Sequence, residues 1–316
     1  MNLYRSVRAV TGATGDGPVD WGAVADAAKA ATEPGDGTVP ADERTAYADD
    51  VREARDRVRR VTGLSFDLPG RVEIQTRHHW LDANVGTFRR LMSPLESRAE
   101  YIPGVARVVN TGSMAFVLSV LSRHVLGQYD PLLLAEGDEH ALYFVRPNIS
   151  QSAEGLGVSY SRFRRWIAFH EVTHAAEFGA APWLSAHLES AMTDAVDGLA
   201  AGRLDRDSLG ELDTTMTAVE GYAEFVMDRA FDDEYADLRR KLEARRRGRG
   251  PLARLVRRLL GLGVKRRQYE RGKEFFEAVV DASDVATAGR VWASPGSLPT
   301  ADELDEPGAW LARVAR

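Results

Sequence analysis

RFRRWIAFHEVTHAAEFG, residues 162–179, decides how the rest of this chain is read. Phe163, Trp166, Ile167, His170 and His174 recur at the spacing that puts side chains on one face of a helix. No proline interrupts the run, and Gly179 stands at its C-terminal end. Two histidines four residues apart on such a face can grip one ion with two imidazoles. Glu171 follows the first of them and points in a neighbouring direction, placed to take a proton from water rather than to bind metal. The expected cofactor is Zn2+, which lowers the pKa of bound water towards about 7 and leaves a nearby carboxylate to complete the deprotonation.

A catalytic zinc usually has three protein ligands and an open fourth position. The continuation HExxHxxGxxH is missing, since Glu177 stands three residues after His174 and Gly179 is out of register. The third ligand must then come from another helix. TAVEGYAEFVMD, residues 217–228, carries carboxylates at four-residue intervals. Glu220 is the expected metal ligand, because it lies between the apolar Val219 and Ala223 and because Gly221 permits a close helix approach. Glu224, one turn later, then accepts the free ring N–H of a ligand histidine. An alternative register makes Glu224 the ligand and Asp228 the supporting carboxylate.

The 316 residues are 44% hydrophobic and 28% charged, which is ordinary globular usage. With no cysteine, disulfides and thiolate metal sites are excluded, leaving histidine and carboxylates as the strong ligands. The N-terminal MNLYRSVRAVTGATGDG lacks the apolar core and cleavage site of a secretory signal, so a cytoplasmic location is expected. The longest apolar stretch, 113–126, is broken by Ser119, Ser122, Arg123 and His124. It falls short of the roughly 20 apolar residues that span a bilayer, and no transmembrane segment is expected.

Helices are predicted at 20–31, 42–62, 105–127, 158–178, 182–201, 207–233, 265–283 and 301–314, with a Gly/Pro loop at 33–40. Tyr47, Val51, Ala54, Val58 and Val61 form the buried stripe of the second. RVEIQT, residues 71–76, alternates like a strand before the pattern turns helical. Gly127 to Pro131 reads as a turn closing a helix. After it, two apolar runs in PLLLAEGDEHALYFVRPNI, residues 131–149, flank Glu136-Gly137-Asp138-Glu139 as in a β-hairpin. No βαβ alternation is visible, which disfavours doubly wound folds and barrels. The expected fold is mainly α, an α+β arrangement with a small hairpin or sheet. An N-terminal helical part (1–104) and a catalytic part (105–316) would form one compact unit.

Beyond these motifs, Asp20-Trp21, VLGQYD at 125–130, Val145-Arg146-Pro147-Asn148-Ile149, and His170 to Phe178 followed by Pro182-Trp183-Leu184 carry a wider likeness. EGYAE at 220–224 with Val226-Met227-Asp228, KRRQYERG at 265–272 and WASPGSLP at 292–299 extend it nearly end to end. On these residues the chain resembles the zincin-like metallopeptidases, a family of hydrolases part of which is associated with biosynthesis of the deazaflavin coenzyme. The resemblance implies a zincin-like metallopeptidase fold and zinc-dependent hydrolysis, without a substrate.

Residues 239–273 are densely basic in a chain of net charge −6. They read either as a core helix with a solvated Arg face or as a surface for nucleic acid, an anionic membrane or an anionic substrate. Tyr222 and Tyr269 are candidates for steadying the oxyanion of a tetrahedral intermediate, or for packing. Two functions stay open: a zinc-dependent peptidase or amidase in which Glu171 activates water, and a non-catalytic zinc-containing protein that docks an anionic partner through 239–273.

Overall fold

ALYFV, residues 141–145, is apolar at every position, so it needs cover on both faces and a partner on each edge. The computed structural model, which describes residues 2–14, 17–97, 104–131, 140–200, 206–231, 237–238, 240–241 and 265–314, meets both demands. This segment is strand β3 (Ala141–Val145), buried at every residue and central in a three-stranded sheet of order β1-β3-β2. β1 (Arg71–Gln75) runs parallel to it, with Val72 opposite Leu142 and Ile74 opposite Phe144. β2 (Gly127–Asp130) runs antiparallel, with Tyr129 opposite Leu142.

The turn expected at Gly127 to Asp130 is thus a strand. Turn-forming composition yields here to the pairing that the buried β3 requires. Of the expected hairpin, the second run is β3, which pairs antiparallel with β2, while its first run and turn, 132–139, lie outside the described residues.

Two compact units divide the chain. The first comprises Met1–Arg44, Gly70–Ser152 and Glu189–Asp205. It holds the sheet with helices α1 (Leu3–Thr11), α2 (Trp21–Ala30), α4 (Arg77–Ser97) and α5 (Gly104–Ser122). Trp21, Val24, Ala27 and Ala28 of α2 pack with Trp80 and Leu81 of α4 and with Ala115 and Leu118 of α5, which makes one core. Asp20 caps α2 by accepting from Ala23 N–H, and its own N–H donates to Thr111.

The second unit comprises Thr45–Pro69, Ala153–Leu188 and Arg206–Arg316. It contains most of α3 (Ala41–Thr62), together with α7 (Tyr160–Ala180) and α9 (Arg206–Ala230). Between them in sequence come α6 (Arg146–Leu156) and α8 (Leu184–Ala200). The chain ends in α10 (Lys265–Ala282), α11 (Val285–Gly289), two 3-10 turns, α12 (Ala301–Asp305) and α13 (Pro307–Val314). The stripe on α3 is buried at Tyr47, Val51, Ala54 and Val58, whereas Val61 is only half-buried.

Three further departures from the sequence reading have local causes. α1 and α6 were not expected; Asn2 caps α1, and Pro147 sits in the first turn of α6, where its missing N–H costs nothing. The expected helix at 301–314 breaks at Glu306, because the residue before Pro307 is driven out of helical geometry. Thr300 and Glu303 close a capping box on the first half.

Candidate metal centre

α7 is buried almost all round, as befits a helix at the middle of a unit. Ser159 caps its N-terminus by accepting from Arg162 N–H. Arg164 and Arg165 tie it to α3: Arg164 donates to Asp50 at 2.7 Å, and Arg165 grips both carboxylate oxygens of Glu53 at 2.7 and 2.9 Å. The ring of Trp166 stacks between Phe163 and His170, at centroid separations of 5.7 and 5.8 Å. Backbone, ion pairs and stacking therefore hold the His170 imidazole in one direction.

α9 crosses this helix and is itself clamped by α10. A Cβ at Gly221 would stand 2.4 Å from Gly272, so the two backbones touch where no side chain could intervene. Gly221 makes its close approach to α10, one residue after the carboxylate it was expected to help position. Lys273 completes the clamp through an ion pair with Asp228.

At the meeting of α7 and α9 the Nε2 atoms of His170 and His174 lie 3.2 Å apart. Glu220 Oε2 is 3.9 Å from each. This is the one group among the described residues whose His and acidic atoms converge closely enough to hold a metal ion. Glu220 Oε2 is buried and has no hydrogen-bond partner among the described residues, an arrangement that a cation would satisfy. The side chains keep 12–19% of their surface, which leaves the cluster reachable from outside. Glu171 is buried, 6% exposed, and its charge acts on His174.

The fourth participant was not expected. Glu177, with no exposed surface, accepts from Nδ1 of His174 at 2.8 Å, the kind of contact that was expected of Glu224 towards a ligand histidine. Its three-residue spacing from His174 on one helix is the signal that could have found it. Burial alone would lower the His174 pKa, but the carboxylates of Glu177, Glu220 and Glu171 outweigh it and raise it. Burial likewise raises the Glu177 pKa against the pull of His174. The imidazole thus sits in a negative field.

Glu224 is buried one turn beyond Glu220. Asp228, the supporting carboxylate of the alternative register, is bound to Lys273. Tyr222 is fully buried, with its ring against Phe276 and Trp292 at 5.0 and 5.4 Å, and burial raises its pKa. A phenol so enclosed is part of the core packing. The side chain of Tyr269 and most of the basic stretch at 239–273 lie outside the described residues. Of that stretch, Arg271 binds Asp305 with two contacts of 2.7 Å and Lys273 binds Asp228, both within the unit.

A helical protein that converges two histidines and a glutamate on one point belongs to the class built to hold a metal ion. The family model of zincin-like metallopeptidases matches residues 19–207 and 203–311, and the chain belongs to that family. A candidate hydrolase with a novel fold from Chloroflexus aurantiacus, known from its crystal structure, superposes with a TM-score of 0.79. It shares 32% identity, over 94% of this chain and 99% of that one. No curated protein matches. The comparisons do not bear on the deazaflavin coenzyme.

Proposed function

We propose that the chain is a zinc-dependent hydrolase of peptide or other amide bonds, with His170, His174 and Glu220 as the zinc ligands and Glu171 as general base. The observation that carries this reading is the convergence of the two Nε2 atoms 3.2 Å apart. Zinc–nitrogen bonds of about 2.0–2.1 Å around a tetrahedral centre separate two nitrogens by roughly 3.3 Å. All three donors are of the types that zinc accepts, in a chain without thiolates.

Zinc in such a site acts as a Lewis acid and brings the pKa of water towards about 7. Glu171 takes the proton of the attacking water and passes it to the leaving amine, so that one amide and one water become an acid and an amine. Glu177, by accepting from Nδ1 of His174, would leave Nε2 as the nitrogen offered to a bound cation. Three protein ligands of this kind are the usual complement of a catalytic zinc, which supports the hydrolase reading over a purely structural zinc.

The test is elemental analysis of protein purified without chelator, joined to a broad panel of peptides and small amides. Stoichiometric zinc and hydrolysis that disappears in Glu171→Gln are expected. Zinc with no hydrolysis of any substrate would favour the non-catalytic binding protein. Hydrolysis surviving in Glu171→Gln would remove the general base.

A further inference from the structure

α5 carries its polarity inside out. Thr111, Ser119 and Ser122 are buried, with Thr111 accepting from Asp20 N–H and the serines donating to carbonyls of their own helix. Val105, Val109 and Phe116 face outward at 77, 59 and 51% exposure. On α1, Tyr4 and Val7 are exposed at 76 and 61%. The helices touch within the first unit, where Val10 of α1 lies over Gly112 of α5. Five of the seven large apolar side chains exposed among the described residues therefore sit on one pair of adjacent helices.

Such clustering marks a surface built to be covered. Charge indicates what covers it. α1 and α5 contain no Asp or Glu, yet they carry Arg5, Arg8 and Arg107 in a chain of net charge −6. A second copy would bring the same arginines together with no carboxylate from either helix to answer them. An anionic lipid surface offers both the apolar layer and the negative charge that these helices lack. α5 also has the length and hydropathy of a membrane-crossing helix, and most of it is not buried in the fold. Its core contacts through Ala115 and Leu118 hold it along the unit, a placement suited to lying on a bilayer rather than crossing one.

We propose that α1 and α5 form a docking face for an anionic membrane surface, with Val105, Val109, Phe116, Tyr4 and Val7 entering the headgroup boundary and Arg5 and Arg8 meeting lipid phosphates. This is independent of the hydrolase reading. The probe is the full-length protein co-sedimented with vesicles of phosphatidylcholine alone or mixed with phosphatidylglycerol, at low and high salt. Binding to the mixed vesicles is expected, with partitioning reduced roughly tenfold or more by Val109→Asp and by Phe116→Asp. The Arg5→Glu, Arg8→Glu double variant should weaken binding and flatten its salt dependence. Phe116→Ser and melting curves matching wild type guard against a folding defect. Failure to bind anionic vesicles overturns the proposal, as does binding that all the apolar-face variants retain, which would point to another surface. A dimer seen by sedimentation velocity and dissociated by Val109→Asp and Phe116→Asp would also overturn it, assigning the face to a second copy.

Discussion

Gly221 of α9 and Gly272 of α10 meet backbone to backbone, so closely that a Cβ on Gly272 would stand 2.2 Å from the carbonyl oxygen of Thr217. Neither position leaves a flexible side chain to yield; the obstacle is main chain. Gly221→Ala and Gly272→Ala must therefore push the helices apart, at about 1–3 kcal/mol each as for other overpacked cores. Because Glu220 adjoins Gly221, zinc affinity should fall along with stability. Gly210→Ala is the control: α9 leaves open space there, and the exposed substitution should stabilise by up to about 1 kcal/mol through helix propensity. Urea unfolding of the three variants checks this, and an unchanged midpoint for Gly221→Ala would contradict the close approach.

Asp20 should make the first unit acid-sensitive. The backbone N–H groups of Ala23 and Thr14 donate to its carboxylate and hold its pKa below the ordinary 3.8. A depressed carboxylate pKa contributes stability that is whole above the unfolded value and is lost as pH falls through the folded one. The loss thus begins near pH 3.8 and continues below it. Asp20→Ala should cost about 1 kcal/mol at neutral pH, as other helix-cap deletions do. The difference from wild type should shrink in melts taken at progressively lower pH between about 5 and 2.

What the sequence discloses and what it hides differ by physical range. α3, α7 and α9 are legible because their helical period and boundaries are local properties, and the His170–His174 spacing needs nothing beyond one helix. β2 is hidden, since Gly127-Gln128-Tyr129-Asp130 has turn composition and becomes a strand only because β3 has an edge to fill. Glu177 is hidden for another reason. A His–Glu pair three residues apart is common on helix surfaces, and only the loss of all exposed area at Glu177 turns it into a fixed acceptor for the His174 ring. Tyr222 shows the converse, a residue whose neighbours in sequence suggest chemistry and whose neighbours in space are Phe276 and Trp292.

Glu177→Ala should weaken zinc binding by roughly 10- to 100-fold, the usual consequence of removing a carboxylate that orients a ligand histidine. Glu177→Gln keeps an acceptor for the Nδ1–H but loses the charge, so its affinity should fall between alanine and wild type. Chelator competition measures both. A purely packing role for Glu177 would lower the melting temperature of the alanine variant while leaving zinc affinity unchanged.

Glu220 and Glu224 lie one helical turn apart, and the two registers make opposite demands on them. With Glu220 Oε2 3.9 Å from both imidazole nitrogens, Glu220→Ala should abolish stoichiometric zinc, whereas Glu224→Ala should retain it. Glu220→Gln is the more telling variant, because it preserves size while exchanging a charged oxygen donor for a neutral amide that zinc binds poorly. Metal content after gel filtration, read beside a melting curve that reports folding, separates loss of the ligand from loss of the helix. Zinc retained in Glu220→Gln and lost in Glu224→Gln would transfer the third ligand to Glu224.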